Sequence, residues 1–221
     1  MQPSNRGQRR RGGLFLVAVA LAAGGLLAYV QSVTGWRIAD NEAADRLRAI
    51  RSVLPEGRYD NQPHLDVIEV LSPDLLGGRT PSPVYRARLG DTPVAVVMTS
   101  IAPDGFSNEI QTLVGIGTDG HVIGVRVVEH SETPGLGDGI EASKSDWILS
   151  FAGLETDNPL APPWVLRRDG GDFDHLSGAT VTSRAVVNAV RNAVIYFNAH
   201  SDELLANGPL PDPLSAEDPT R

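Results

Sequence analysis

The chain of 221 residues contains no cysteine. Disulfides, thiolate zinc sites, iron–sulfur clusters and thiol nucleophiles are therefore excluded, and any redox role requires a bound organic cofactor. The five histidines, His64, His121, His130, His175 and His200, never pair at metal-ligand spacing, so no metal site is expected. Ser177-Gly178-Ala179 lacks the glycine that precedes the serine of a G-x-S-x-G elbow, which argues against a serine hydrolase. No internal repeat is visible.

Charge is missing in two informative places. Leu14 to Val30 holds no charged residue, and no acidic residue occurs before Asp40. With Gly12, Gly13 and Gln31 to Val33 added, the apolar run reaches the roughly 20 residues that span a bilayer as a helix. Arg6, Arg9, Arg10 and Arg11 precede it, which places residues 1–13 in the cytoplasm and everything beyond Val33 outside. No A-x-A-like cleavage site follows Val30, so residues 14–33 are expected to stay as a single transmembrane anchor. The exported part keeps fifteen of the nineteen basic residues against all twenty-seven acidic ones, a net charge of about −12. Such a surface is poorly suited to nucleic acid or anionic lipid headgroups.

Two motifs carry the chemistry. Asp174-His175-Leu176-Ser177-Gly178-Ala179-Thr180 precedes a run in which Val186, Val190, Val194 and Phe197 share one helical face, with Ala189 and Ala193 between them. Thr182 or Ser183 is expected to cap its first turn. Small residues at Gly178 and Ala179 permit close backbone approach, and a helix start favours an anion such as phosphate. The second motif, Glu132-Thr133-Pro134-Gly135-Leu136-Gly137, follows the β-like run Val122–Val128 and is too rich in Gly and Pro to continue it.

On these two motifs, in this order, the chain resembles the FMN-binding domain shared by the RnfG and NqrC families, over roughly Pro93 to Phe197. The resemblance implies covalent FMN, held by a phosphoester to Thr180, with Ser177, Gly178 and Ala179 in the attachment segment. Asp174 would belong to the segment that a flavin transferase recognises. Glu132, Thr133, Gly135, Leu136 and Gly137 would face the flavin. No catalytic residue of its own is implied. RnfG is the better match, because the chain is short for NqrC and lacks the longer insertion expected before its flavin domain. The implied role is electron relay inside an Rnf-type complex that couples redox chemistry to ion translocation. The other subunits of that complex would be partners, and the FMN domain would lie on the periplasmic side of the cell inner (cytoplasmic) membrane. An NqrC-like subunit of a sodium-pumping quinone reductase, or an anchored flavin module of a sensor or another reductase, are the alternatives.

The expected fold is α+β, a mainly antiparallel sheet with packed helices behind the transmembrane helix. A helix from Asp40 to about Val53 presents Ala43, Leu47, Ile50 and Leu54, and Pro55-Glu56-Gly57 stops it. Strands are expected over Leu65–Leu71, Val84–Leu89, Pro93–Ser100, Ile110–Ile116 and Val122–Glu129, the last two joined through Asp119-Gly120. A helix or irregular segment spans Ile140–Phe151, burying Trp147, Ile148 and Phe151. Asn158–Pro163 and Arg167–Gly171 read as loops. Trp147 and Trp164 are candidates either to stack on an isoalloxazine ring or to fill the core. The expected organisation is residues 34–92 as the N-terminal helix and strands of the exported region, 93–200 as the FMN-binding domain and 201–221 as a flexible tail.

Overall fold

The structure is a computed structural model that describes residues 19–25, 29, 47–55, 57–155 and 164–206. The chain divides into two units, Met1–Arg46 and Leu47–Arg221. In the first, residues 19–25 and 29 are helical with exposed side chains. Most of the expected anchor over 14–33 lies outside the described residues. Among those that are described, no helix is long and apolar enough to cross a membrane. Asn158–Pro163 and the chain beyond 206 also lie outside them.

The second unit is built on one antiparallel meander of five strands in sequence order: β1 Val67–Val70, β2 Ser82–Leu89, β3 Thr92–Ala102, β4 Ile110–Gly117 and β5 Val122–Glu129. Each strand expected from the sequence is present. Gly120, at φ 78°, makes the turn that joins β4 to β5. The expected division at residue 93 falls near the start of β3, and strands on both sides of it share the one sheet.

Alternation along the strands separates two cores. Val96, Met98, Val114, Ile116 and Val125 point to one face, which is covered by Val186, Val190 and Val194 of the C-terminal helix α3 (Thr180–Leu205). Ala185, Ala189 and Ala193 are small enough to bring that helix close. Ser100 then reaches it and donates to the Ala189 carbonyl at 3.0 Å. The opposite face holds Tyr85, Ala87, Ala95, Val97 and Leu113. It is covered by Ile50, Val53 and Leu54 at the end of helix α1, described over residues 47–53. Gly115 and Gly124 pair across β4 and β5 and make the notch for that helix. A Cβ on Gly115 would collide with Val53 Cγ1, and one on Gly124 would lie 3.3 Å from the Val53 carbonyl oxygen.

A short helix, α2 (Pro73–Leu76), buries Leu76 in the first core and ends on Gly77 at φ 74°. The segment after β5 contains two 3-10 turns, Gly137–Ile140 and Trp147–Phe151, with Ile148 and Phe151 fully buried. Trp147 is only half-buried and meets Phe151 edge-on at 5.5 Å. Arg167–Asp169, expected as loop, forms one 3-10 turn closed by Gly170.

Two local expectations are corrected. Helix α3 begins at Thr180, with Ala179 at its N-cap and no side-chain cap. Thr182 and Ser183 therefore stand inside the first turn, buried, and their hydroxyls bond elsewhere. At the other end α3 continues past the expected start of the tail at residue 201, to Leu205. Leu204 is fully buried there, and the Ala206 carbonyl accepts Arg86 Nη1 at 2.8 Å. Arg86 and Arg88 also hold Asp66, at the start of β1. That cluster closes the C-terminal end of the helix onto the sheet.

Candidate functional site

The fold brings the two sequence motifs together. The loop that follows β5 meets both the first turn of α3 and the segment just before it. Thr182 Oγ1 donates to Glu132 Oε2 at 2.5 Å. Leu136 Cδ2 lies 3.0 Å from where a Cβ on Gly178 would stand. Glu132 is buried at 5% exposure, and its second oxygen accepts the Ser107 N–H at 3.1 Å. One carboxylate thus binds the β3–β4 hairpin, the loop and the helix. The buried charge is met by donors on both oxygens, which offsets its loss of water.

The loop is organised around its own backbone. The Thr133 carbonyl accepts the N–H groups of Leu136 and Gly137, and the Gly135 N–H donates to Asp138 Oδ1 at 2.8 Å. Gly135, at φ 79°, takes the left-handed turn that lets the loop reverse. Gly137 is buried against Glu132, whose Cβ and Oε2 would both lie 2.8 Å from a side chain there. Thr133, Gly135 and Leu136 remain exposed. His130 belongs to the scaffold: its Nδ1 accepts the Glu132 N–H, which leaves Nε2 to donate to Glu141 Oε1 at 3.1 Å.

The Asp174–Thr180 segment is equally built. Gly178 turns at φ 79°, the Ala179 N–H closes on the Leu176 carbonyl, and Ser183 Oγ accepts the Leu176 N–H at 3.0 Å. Ser177 and Gly178 are exposed, Ala179 is buried, and Thr180 is half-buried in the first turn. The N–H groups of Thr180, Val181 and Thr182 donate to no group among the described residues. Asp174 is exposed, with Oδ1 at 2.6 Å from Arg167 Nη1, and its carbonyl accepts Trp147 Nε1 at 2.6 Å.

Three arginines around this segment escaped the sequence reading. Arg167 pairs with Asp174, Arg184 pairs with Asp169 at 2.7 Å, and Arg168 Nη1 donates to Thr180 Oγ1 at 3.2 Å. The signal available was the Arg167-Arg168 pair, two adjacent cations in an acidic region shortly before the motif. Trp147 fixes the Asp174 carbonyl and borders an open groove with Ser150, Leu154, Arg167, Asp172 and Phe173. Trp164, at 2% exposure, lies in the core among Phe151 and Phe173 and is closed to a ligand ring. Among the described residues no three His, Asp or Glu side chains gather as a metal centre.

The chain matches two family models. Residues 105–195 match an FMN-binding domain, and residues 1–53 match an RnfG N-terminal region. The G subunit of the ion-translocating oxidoreductase complex of Pseudomonas aeruginosa is 46% identical, over 93% of this chain and 96% of the relative. Proteins of the same description from Shewanella baltica and Vibrio cholerae are 39% and 40% identical. Those alignments cover 89% and 88% of this chain, and 92% and 93% of the two relatives.

Proposed function

The chain belongs to the RnfG family, the G subunits of ion-translocating oxidoreductase complexes, and carries an FMN-binding domain. From that premise we propose that it relays electrons within such a complex through FMN esterified to Thr180. It acts as one member of a multi-subunit oxidoreductase and has no independent catalysis. The match of residues 1–53 to the RnfG N-terminal region favours this reading over a component of a sodium-pumping reductase or a sensor module.

The observation that carries the proposal is the position of Thr180. Its hydroxyl stands in the first turn of a long helix with no side-chain cap, whose leading N–H groups are unengaged among the described residues. Such a helix start stabilises an anion through its free N–H groups and its dipole. Gly178 keeps side-chain bulk away from the approach to Thr180, with only Leu136 close to it. The residues present therefore suit an esterified phosphate. Ser177, Gly178 and Ala179 shape the approach, and exposed Leu136 and Val181 offer apolar surface to a flavin ring. Thr133, Gly135 and Leu136 form the exposed edge of the loop, while Glu132 and Gly137 hold it in place.

FMN supplies the redox chemistry when bound; the protein tethers and orients it. An ester at Thr180 would form from its Oγ1 and a flavin phosphate supplied as a diphosphate, whose second half would leave with the electron pair of the broken P–O bond while the hydroxyl proton would pass to the transferase. Asp174, exposed and steadied by Arg167 and Trp147, serves transferase recognition. The proposed topology is a cytoplasmic segment 1–13, an anchor over 14–33 and the FMN domain on the periplasmic side of the inner membrane.

The test is intact-mass measurement of the membrane-extracted chain after coexpression with a flavin transferase. A gain of one esterified FMN should map to the peptide holding Thr180 and vanish in Thr180→Val. Unmodified Thr180 beside an active transferase overturns the reading.

A further inference from the structure

We propose that Arg168 is the positioning residue for the flavin phosphate, its guanidinium meeting the anion as it forms on Thr180. The inference rests on Thr180 as the attachment point and adds a cation beside it. Of the three arginines around the segment, two have their charge engaged: Arg167 by Asp174 and Arg184 by Asp169. Arg168 has no carboxylate partner among the described residues, and its one hydrogen bond there is to Thr180 Oγ1, at 3.2 Å.

That geometry fits the chemistry before and after the bond forms. A guanidinium donates only, so Thr180 Oγ1 is the acceptor in this contact and its own proton is left free to depart. As the oxygen attacks phosphorus, the cation already lies beside it. A phosphodiester on Thr180 would carry one negative charge on two free oxygens, and the remaining N–H groups of the same planar fork would hold it. Arg168 is exposed, so a contribution to packing is small and its effect is read on the phosphate. Its position on the 3-10 turn Arg167–Asp169 explains the selection. The flanking residues Arg167 and Asp169 are tied to Asp174 and Arg184, and this fixes the turn from which Arg168 reaches Thr180.

The experiment uses the full chain, coexpressed with a flavin transferase, as wild type, Arg168→Gln, Arg168→Lys and Arg79→Gln. The rate of esterification is followed by intact mass, and the phosphodiester of each purified flavinylated protein by phosphorus NMR. Arg168→Gln should esterify about three- to tenfold more slowly, the size expected for one exposed charge-assisted contact. Its phosphorus resonance should move from the wild-type position. Arg168→Lys should recover part of both effects, and Arg79→Gln, at an exposed arginine outside the site, should leave the resonance in place. An unshifted resonance in Arg168→Gln overturns the inference whether or not esterification slows, and Thr180 would stand as the acceptor. Wild-type chain that carries no flavin on Thr180 removes the underlying reading itself.

Discussion

Thr182 Oγ1 donates a 2.5 Å hydrogen bond to Glu132 Oε2 across a sequence separation of 50 residues. The bond joins the loop after β5 to the helix that carries Thr180, and Ser107 holds the other oxygen of the same carboxylate. One buried carboxylate and its donors thus join the two motifs, beside the contact of Leu136 with Gly178.

Thr182→Val keeps the shape and removes the donor. It should destabilise the chain by about 1.5–3 kcal/mol, because a buried carboxylate oxygen is left without its partner. Thr182→Ser, which retains the hydroxyl, should cost much less. Urea unfolding of the detergent-solubilised protein measures both, and equal stability of wild type and Thr182→Val would show that the bond contributes nothing.

Gly178 is tested through its neighbour. At φ 79°, with Leu136 Cδ2 only 3.0 Å from where a Cβ would stand, Gly178→Ala carries both backbone strain and a contact. The strain alone is worth about 1–2 kcal/mol. Leu136→Ala in the same chain should relieve the contact and leave the strain, so the double variant should be less than additive in a thermal melt. Strict additivity would separate the two motifs at this point.

The cross-strand glycine notch makes a second packing prediction. Gly115→Ala should cost about 1–3 kcal/mol through overpacking against Val53. Pairing it with Val53→Ala should recover part of the loss. Chemical denaturation of the three variants checks this, and a neutral Gly115→Ala would mean that α1 shifts without cost.

Asp66 gives the acid dependence. Burial raises its pKa, but hydrogen bonds from Arg88 and Arg86, and their charges, outweigh burial and hold the carboxyl below its ordinary value of 3.8. A carboxylate depressed in the folded state stabilises fully above its unfolded pKa and loses that contribution as pH falls through the lower folded value. Asp66→Asn should thus be less stable than wild type at neutral pH, with the difference narrowing below about pH 4. Unfolding midpoints between pH 3 and 7 decide it; a constant difference would remove Asp66 as the cause.

Topology is tested independently of the flavin. A reporter fused after Ala206 should be active only when exported, and the chain should stay in the membrane fraction through an alkaline wash. Release of a shortened soluble form would identify residues 14–30 as a cleaved signal.

The local elements follow from near-neighbour patterns in the sequence. Alternation with period two and the Asp119-Gly120 turn specify β4 and β5, and the valine and alanine spacing after Thr180 specifies α3, because these signals act between near neighbours. The two motifs stood out as short local runs, rich in Gly and small residues, and the family resemblance rests on them. What only the tertiary structure decided is who meets whom. Gly115 and Gly124 acquire their role only when Val53 packs against them, and Thr182 reads as a cap until Glu132 takes its hydroxyl. Arg168 is one of several arginines in the sequence. It becomes the cation at Thr180 because Asp174 and Asp169 engage the others. Such assignments depend on distances between segments far apart in the chain, and no local pattern encodes them.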